Sequence, residues 1–200
     1  MQFCIFTTKK MILDDITLQI ANIADITGVL KLQERYLFAN LSAQEKAGGF
    51  VTTPFTVAQL TDVIDQKGLF LAKHDNEIIA YCFAASWQYF VQWPIFAHMI
   101  ALFTEWSFQN EAITVDNSFQ YGPICIDIPY RSKGIINVLV EFMRQNMVAR
   151  YPIAVTFINK INVPSFKAHT EKLDWKVIAE FGFNQNAYYV LALDMNVVVL

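Results

Sequence analysis

Between Ile78 and Thr104 the chain carries no aspartate, glutamate, lysine or arginine, and this run constrains the fold more than any other segment. Length alone would let it cross a bilayer. Its chemistry argues otherwise. Gln88, Gln92, Pro94 and His98 interrupt it. Its Trp and Tyr residues sit mid-run instead of forming two interfacial belts, and no basic cluster flanks it. We read it as a buried strand (Glu77–Ser86), a turn near Pro94 and an apolar helix (Ile95–Trp106), with membrane association as the alternative. Its aromatic residues (Trp87, Tyr89, Phe90, Trp93, Phe96) suit extra core, a subunit contact, or an apolar pocket wall or lid.

The rest of the chain supports a large core. Hydrophobic residues make up 54% of the 200 positions and charged residues only 16%, which excludes extensive disorder. The net charge is −3 with no basic stripe, so no nucleic-acid partner is expected. Cys4, Cys82 and Cys125 lie far apart without a CxxC pair, and His74, His98 and His169 are dispersed. That pattern argues against a disulfide framework and a metal site, and fits a reducing, cytoplasmic location. At the N-terminus, Lys9 and Lys10 follow the short apolar piece, and Asp14 and Asp15 come soon after. A secretory signal has the opposite order. Residues 1–13 are expected to be an extension, with a single domain over 14–200 and an insert at about 86–118.

Periodicity gives the element order. Ile16–Ile20 alternates as a strand, Ala24–Asn40 is an amphipathic helix, Leu41–Pro54 is a polar loop, and Thr56–Gln66 is a second helix with Gly68 as its C-cap. Gly68–Lys73 and Glu77–Ala85 flank the turn residues His74, Asp75 and Asn76, a hairpin pattern. After the insert come a strand (Phe119–Ile128), a helix (Lys133–Ala149), a strand (Ile153–Ile158), a short helix (Pro164–Leu173) and two strands (Trp175–Phe183, Ala187–Asp194). Helices between strands imply parallel crossovers and hairpins imply antiparallel pairs. The expected class is α/β (α+β): a mixed, mostly antiparallel central sheet flanked by helices.

The chemistry concentrates in Ile124–Phe142. There a buried strand runs into a basic, glycine-containing turn that opens a long helix. The first N–H groups of a helix lack intrahelical partners and its dipole is positive there, so such a terminus can hold a phosphate. Arg131 and Lys133 add charge, and Gly134 permits close backbone approach. An ordinary strand–helix turn with solvated basic residues is the alternative reading of this piece.

This stretch resembles the acetyl-CoA motif of the GCN5-related N-acetyltransferase (GNAT) family, whose signature is (Arg/Gln)-x-x-Gly-x-(Gly/Ala). Here it reads Arg131-Ser132-Lys133-Gly134-Ile135-Ile136, after Ile126-Asp127-Ile128 at the strand end. A second segment, Asn162 to Trp175, is similar to the family's Asn-x-x-Ser/Ala…Tyr/His…Lys-Leu-Gly-Phe region. The resemblance implies an acyl-CoA N-acyltransferase-like fold. It also implies acetyl-CoA as co-substrate, with Ile126, Ile128, Arg131, Ser132, Lys133, Gly134, Ile135, Ile136, Asn162 and Ser165 at the cofactor. It departs from the pattern at Ile136, where the family has a small residue, and at Asp174, where it has glycine. His169 falls where the family often has the tyrosine that protonates the departing thiolate.

The implied reaction is direct transfer of an acetyl group to a primary amine of a small acceptor. Glu45, in the polar loop, is the first candidate base; Glu105 and Glu111, in the insert, are others. Alternation turns Asp127 away from whatever Ile126 faces, and a water chain can replace any side-chain base. A CoA-binding module without turnover is the alternative, motivated by Ile136 and the missing tyrosine. The aromatic insert or the C-terminal strand offers a surface for a homodimer.

Overall fold

The computed structural model describes residues 13–199, so the reading of residues 1–12 as part of an extension lies outside the described residues. The chain opens with strand β1 (Ile16–Ile20). Asn22 then caps a 3-10 turn that leads into helix α1 (Ile26–Tyr36). The single helix expected over 24–40 is therefore shorter and flanked by two tight turns, the second at Phe38–Asn40. The polar segment after it contains a one-turn helix, α2 (Ala43–Lys46), closed by reciprocal bonds between Ser42 and Glu45. Helix α3 (Val57–Asp65) starts at a second such box, formed by Thr56 and Gln59.

Strands β2 (Leu69–His74) and β3 (Glu77–Ala85) form the expected hairpin. Asp75 and Asn76 both have positive φ, 50° and 64°, as a tight hairpin turn requires. The expectation for Gly68 is corrected. The left-handed residue that ends α3 is Lys67, with φ 55°. Gly68 is small for another reason: a Cβ there would lie 2.6 Å from the Ala84 carbonyl oxygen.

The insert folds as two helices, α4 (Trp87–Phe90) and α5 (Pro94–Ala101), and a small ribbon, β4 (Ser107–Phe108) with β5 (Glu111–Ala112). The apolar helix ends at Ala101, short of the expected Trp106, because a 3-10 turn follows at Phe103–Glu105. Trp87, Phe90 and Met99 are completely buried. Among the described residues, no helix is long and apolar enough to cross a membrane.

Strand β6 (Ser118–Ile126), helix α6 (Ile135–Met147), strand β7 (Ile153–Asn159), helix α7 (Val163–Lys172) and the hairpin β8 (Lys176–Phe183) with β9 (Asn186–Asp194) complete the fold. The sheet order is β1-β2-β3-β6-β7-β9-β8. Only β6 and β7 run parallel, joined by the α6 crossover; every other pair is antiparallel. Residues of α1, α3 and the insert pack on one face of the sheet, and residues of α6 and α7 on the other. This is the mixed, mostly antiparallel sheet that the sequence predicts.

One irregularity positions the site. β6 and β7 pair only over Ser118–Gln120 and Ile153–Val155. Beyond that they separate, and β6 bulges at Gly122, whose φ is 97°: Cys82 of β3 faces Ile124 while Ala84 faces Tyr121.

Candidate active site

The gap between β6 and β7 opens into two adjoining cavities. The larger, about 430 Å³, runs along Ile124–Ile126 of β6 to the first turn of α6, with α7 on one side and the loop Gly48–Val51 above it. The smaller, about 100 Å³, extends from Ile124 toward Gln120, between Thr156 and Phe157 of β7 and the aromatic rings of Phe55 and Phe96. Phe50, Val51, Ile124, Asn162, Ser165 and His169 line both cavities and form their junction.

Helix α6 meets the large cleft with its N-terminus. Gly134 stands at the cap in the left-handed region, φ 86°, and no side chain among the described residues caps the helix. Its first amides therefore face the cleft as donors, reinforced by the dipole. Ser132, Gly134, Ile135 and Ile136 line the cleft there. Ile136 is half-buried and leans on the core beneath α6.

Arg131 lines the cleft as well, but its guanidinium is already engaged. Nε donates to the Ile126 carbonyl at 2.7 Å and one terminal nitrogen to the Gly48 carbonyl at 2.6 Å, above the Tyr36 ring. It ties the strand end to the loop above the cleft.

Two expected cofactor residues sit elsewhere. Ile128 lies past the strand end in a 3-10 turn, is 59% exposed, and donates its N–H to the Tyr36 hydroxyl. Lys133 is absent from the lining of either cavity, and its ammonium lies 5.7 Å from the Tyr130 ring centroid.

On the α7 side, Asn162 caps the helix: its Oδ1 accepts from Ser165 N–H, and its Nδ2 donates to the Phe50 carbonyl at 3.2 Å. This bond anchors the overlying loop. Gly49, φ 93°, allows the loop to pass close to Asn162.

His169 is 2% exposed. Its Nδ1 lies 2.7 Å from the Ser165 carbonyl, which can only accept, so Nδ1 carries the proton and Nε2 accepts from the Tyr121 hydroxyl at 3.3 Å. Burial lowers its pKa from 6.5 to about 4, against the Ser165 hydrogen bond, which raises it. The ring is thus neutral at pH 7, with its one N–H occupied.

This has a measurable consequence. A histidine whose pKa is lower folded than unfolded contributes stability that is present above pH 6.5 and is lost as pH falls toward 4. From pH 7 to pH 5 the wild type should lose about 2 kcal/mol more unfolding free energy than His169→Gln, measured by urea titration. Equal losses in the two proteins would contradict the neutral assignment.

The candidate bases are not gathered at the site. Glu45 is exposed on α2, and hydrogen bonding to the Ser42 side chain, then to the Ser42 N–H at 2.8 Å, lowers its pKa. Glu105 and Glu111 are exposed in the insert. Asp127 turns away from the cleft, as alternation requires, toward Arg35 at 2.7 Å and the Tyr36 hydroxyl at 2.5 Å. Burial raises its pKa, but these hydrogen bonds outweigh it and the carboxyl stays below its ordinary value. Among the described residues, no aspartate or glutamate lines either cavity.

Gln120, Tyr121 and Thr156, which the sequence reading did not single out, line the small pocket. A signal was available: Gly122-Pro123 inside a strand pattern marks a bulge, and bulges favour sites.

No family model matches the sequence, and no curated protein sequence matches it either. Solved structures do match the fold. A putative acetyltransferase, yncA of Salmonella typhimurium, solved with acetyl-CoA, is 10% identical, with a TM-score of 0.60 over 90% of this chain and 94% of that chain. The PaiA N-acetyltransferase of Thermoplasma acidophilum, solved with coenzyme A, is 12% identical, with a TM-score of 0.58 over 90% and 98%. The ribosomal-protein-alanine N-acetyltransferase of Brucella melitensis is 9% identical, with a TM-score of 0.59 over 89% and 99%. The chain therefore has the GNAT-type N-acetyltransferase fold.

Proposed function

We propose that this chain transfers an acetyl group from acetyl-CoA to a primary amine of a small acceptor, and that residues 14–200 act as one unit in doing so. The observation that carries this reading is the adjacency of the two cavities: a long cleft, ending at a helix N-terminus that no described side chain caps, shares His169 and Ile124 with a smaller pocket. The residues present fit the cofactor. The amides of Ile135 and Ile136 would hold the pyrophosphate, and Ile124–Ile126, Asn162 and Ser165 would flank the pantetheine arm. Acetyl-CoA and CoA in the solved structures of similar fold support that choice.

The bound thioester supplies an activated carbonyl. The chain's part is to align the amine with it and to exclude bulk water, which converts an encounter into an oriented step. In that step the amine nitrogen forms the new C–N bond, the C–S bond breaks, the amine gives up a proton and the thiolate gains one. With no carboxylate of the described residues at either cavity, we assign the proton removal to water and not to Glu45. The buried, neutral imidazole of His169 is better suited to orienting the Tyr121 hydroxyl than to acting as the acid.

The buried thiols of Cys82 and Cys125 suit a reducing cytoplasm. The aromatics of the insert are largely packed inside and the C-terminal strand β9 is enclosed between β7 and β8, so neither offers the expected homodimer surface, and we favour the edge strand β8 in their place.

A CoA-binding module without turnover is the second reading, favoured by Ile136 in the cleft and by the neutral His169. Calorimetric titration with acetyl-CoA, followed by thiol release with a panel of amines, separates the two. Saturable binding with release supports the transferase. Binding without release supports the module, and no binding at millimolar ligand rejects both. If Ile136 crowds the pyrophosphate, Ile136→Ala should bind acetyl-CoA about threefold to tenfold more tightly. An unchanged affinity would show that the branched side chain leaves the turn free.

A further inference from the structure

Gln120 lines the small pocket and carries a polar atom that has no partner among the described residues. Gln120 is 2% exposed and lines this pocket. Its Nε2 donates to the Tyr121 carbonyl at 2.6 Å, which fixes the orientation of the amide, because the reversed amide would set oxygen against oxygen. Its Oε1 is buried with no hydrogen-bond partner among the described residues. Gln33, the other buried glutamine, shows what a purely structural role looks like here: both ends of its amide are bonded to the Phe55 backbone.

Gln120 is also remote from the reacting end. It does not line the cofactor cleft, and it precedes Ile124, the junction residue, by four positions along β6. At ordinary strand rise that is roughly 13 Å, less what the bulge at Gly122 takes up. The walls between are the rings of Phe55, Phe96, Phe157 and Tyr188. Among the described residues, the ionisable side chains lining the pocket are Tyr121, His169 and Tyr188. Burial favours the neutral form of each. A cationic tail would enter this space without a counter-charge, at a heavy desolvation cost.

We propose that Gln120 is a specificity-determining residue that reads the far end of the acceptor through Oε1. The substrate class is a primary amine with a ring-sized apolar body and an uncharged hydrogen-bond donor, such as a hydroxyl, at the opposite end. This inference rests on the acetyltransferase reading and refines its acceptor.

Three amines with one skeleton test it: 4-hydroxybenzylamine, benzylamine and 4-(aminomethyl)benzylamine. Each is assayed by thiol release with the full chain and acetyl-CoA, and each is titrated calorimetrically into the chain alone and into the chain with CoA. The expected order is hydroxyl first, unsubstituted about tenfold weaker, and the diamine weakest. Gln120→Leu should bring the hydroxyl and unsubstituted compounds to within about twofold of each other. Gln120→Glu should raise the diamine about tenfold or more, by supplying the missing charge. Unchanged acetyl-CoA affinity and urea midpoint in each variant separate specificity from misfolding. Failure of acetyl-CoA to bind overturns the transferase reading. Equal affinity for the three amines, no affinity for any of them, or an order unaltered by both variants overturns the role of Gln120.

Discussion

Replacing Trp87 with alanine lowers the unfolding free energy by about 4 kcal/mol, read as an earlier urea midpoint with an unchanged slope. Trp87 is completely buried in the cluster that joins the insert to the sheet. Its ring meets Phe103 edge-on at 4.8 Å, and its Nε1 donates to the Ser118 hydroxyl at 3.0 Å. Alanine would leave a void lined by residues held from several directions, and such a site collapses poorly. Trp87→Phe keeps most of the apolar contact and loses the hydrogen bond, so its cost should be about 1–2 kcal/mol. A loss below about 1 kcal/mol in the alanine variant would mean that the insert packs loosely. It would also weaken the case for Phe96 as a fixed pocket wall, since Phe96 belongs to the same cluster.

Gly134→Val should weaken acetyl-CoA binding about thirtyfold, with Gly134→Asn much milder. Gly134 has φ 86°. A β-branched residue is strongly disfavoured there, at a cost of roughly 2 kcal/mol, whereas asparagine tolerates that region. Steric space is not the issue, because a Cβ at this position would find Leu13 Cδ1 only at 3.6 Å. The valine variant can keep the turn and lose stability, or relax it and misdirect the amides that open α6. Calorimetry beside a urea curve reads both. Full affinity at full stability in the valine variant would show that the turn does not hold the cofactor.

Much of the fold was legible because its signals are local. The Asp75-Asn76 turn, the apolar stripe of α6 and the proline near the start of α7 each act within a few residues. The boundaries of α1 and α5 were less so, since 3-10 turns at their ends keep the apolar spacing while tightening the backbone. Gly68 was misread because its reason is the Ala84 carbonyl, on a different strand. The site divides in the same way. The α6 turn could be read from one stretch of sequence, and its residues do stand at the cleft, apart from Lys133 and Ile128. The occupied Arg131, the buried His169 and the orphan oxygen of Gln120 depend on neighbours far along the chain, at Gly48, Tyr121 and the opposite pocket wall. No spacing rule reports those contacts.

The early parting of β6 from β7 gives the sheet an edge in its interior. Past Gln120 and Val155 these two strands no longer exchange hydrogen bonds, so backbone groups that would have paired with each other line a gap. An edge on the outside of a sheet invites another chain to add a strand. This one lies between the loop at Gly48–Val51 and α7, which both line the cleft along it. A molecule lying lengthwise in the cleft would meet those backbone groups as an added strand meets an outer edge.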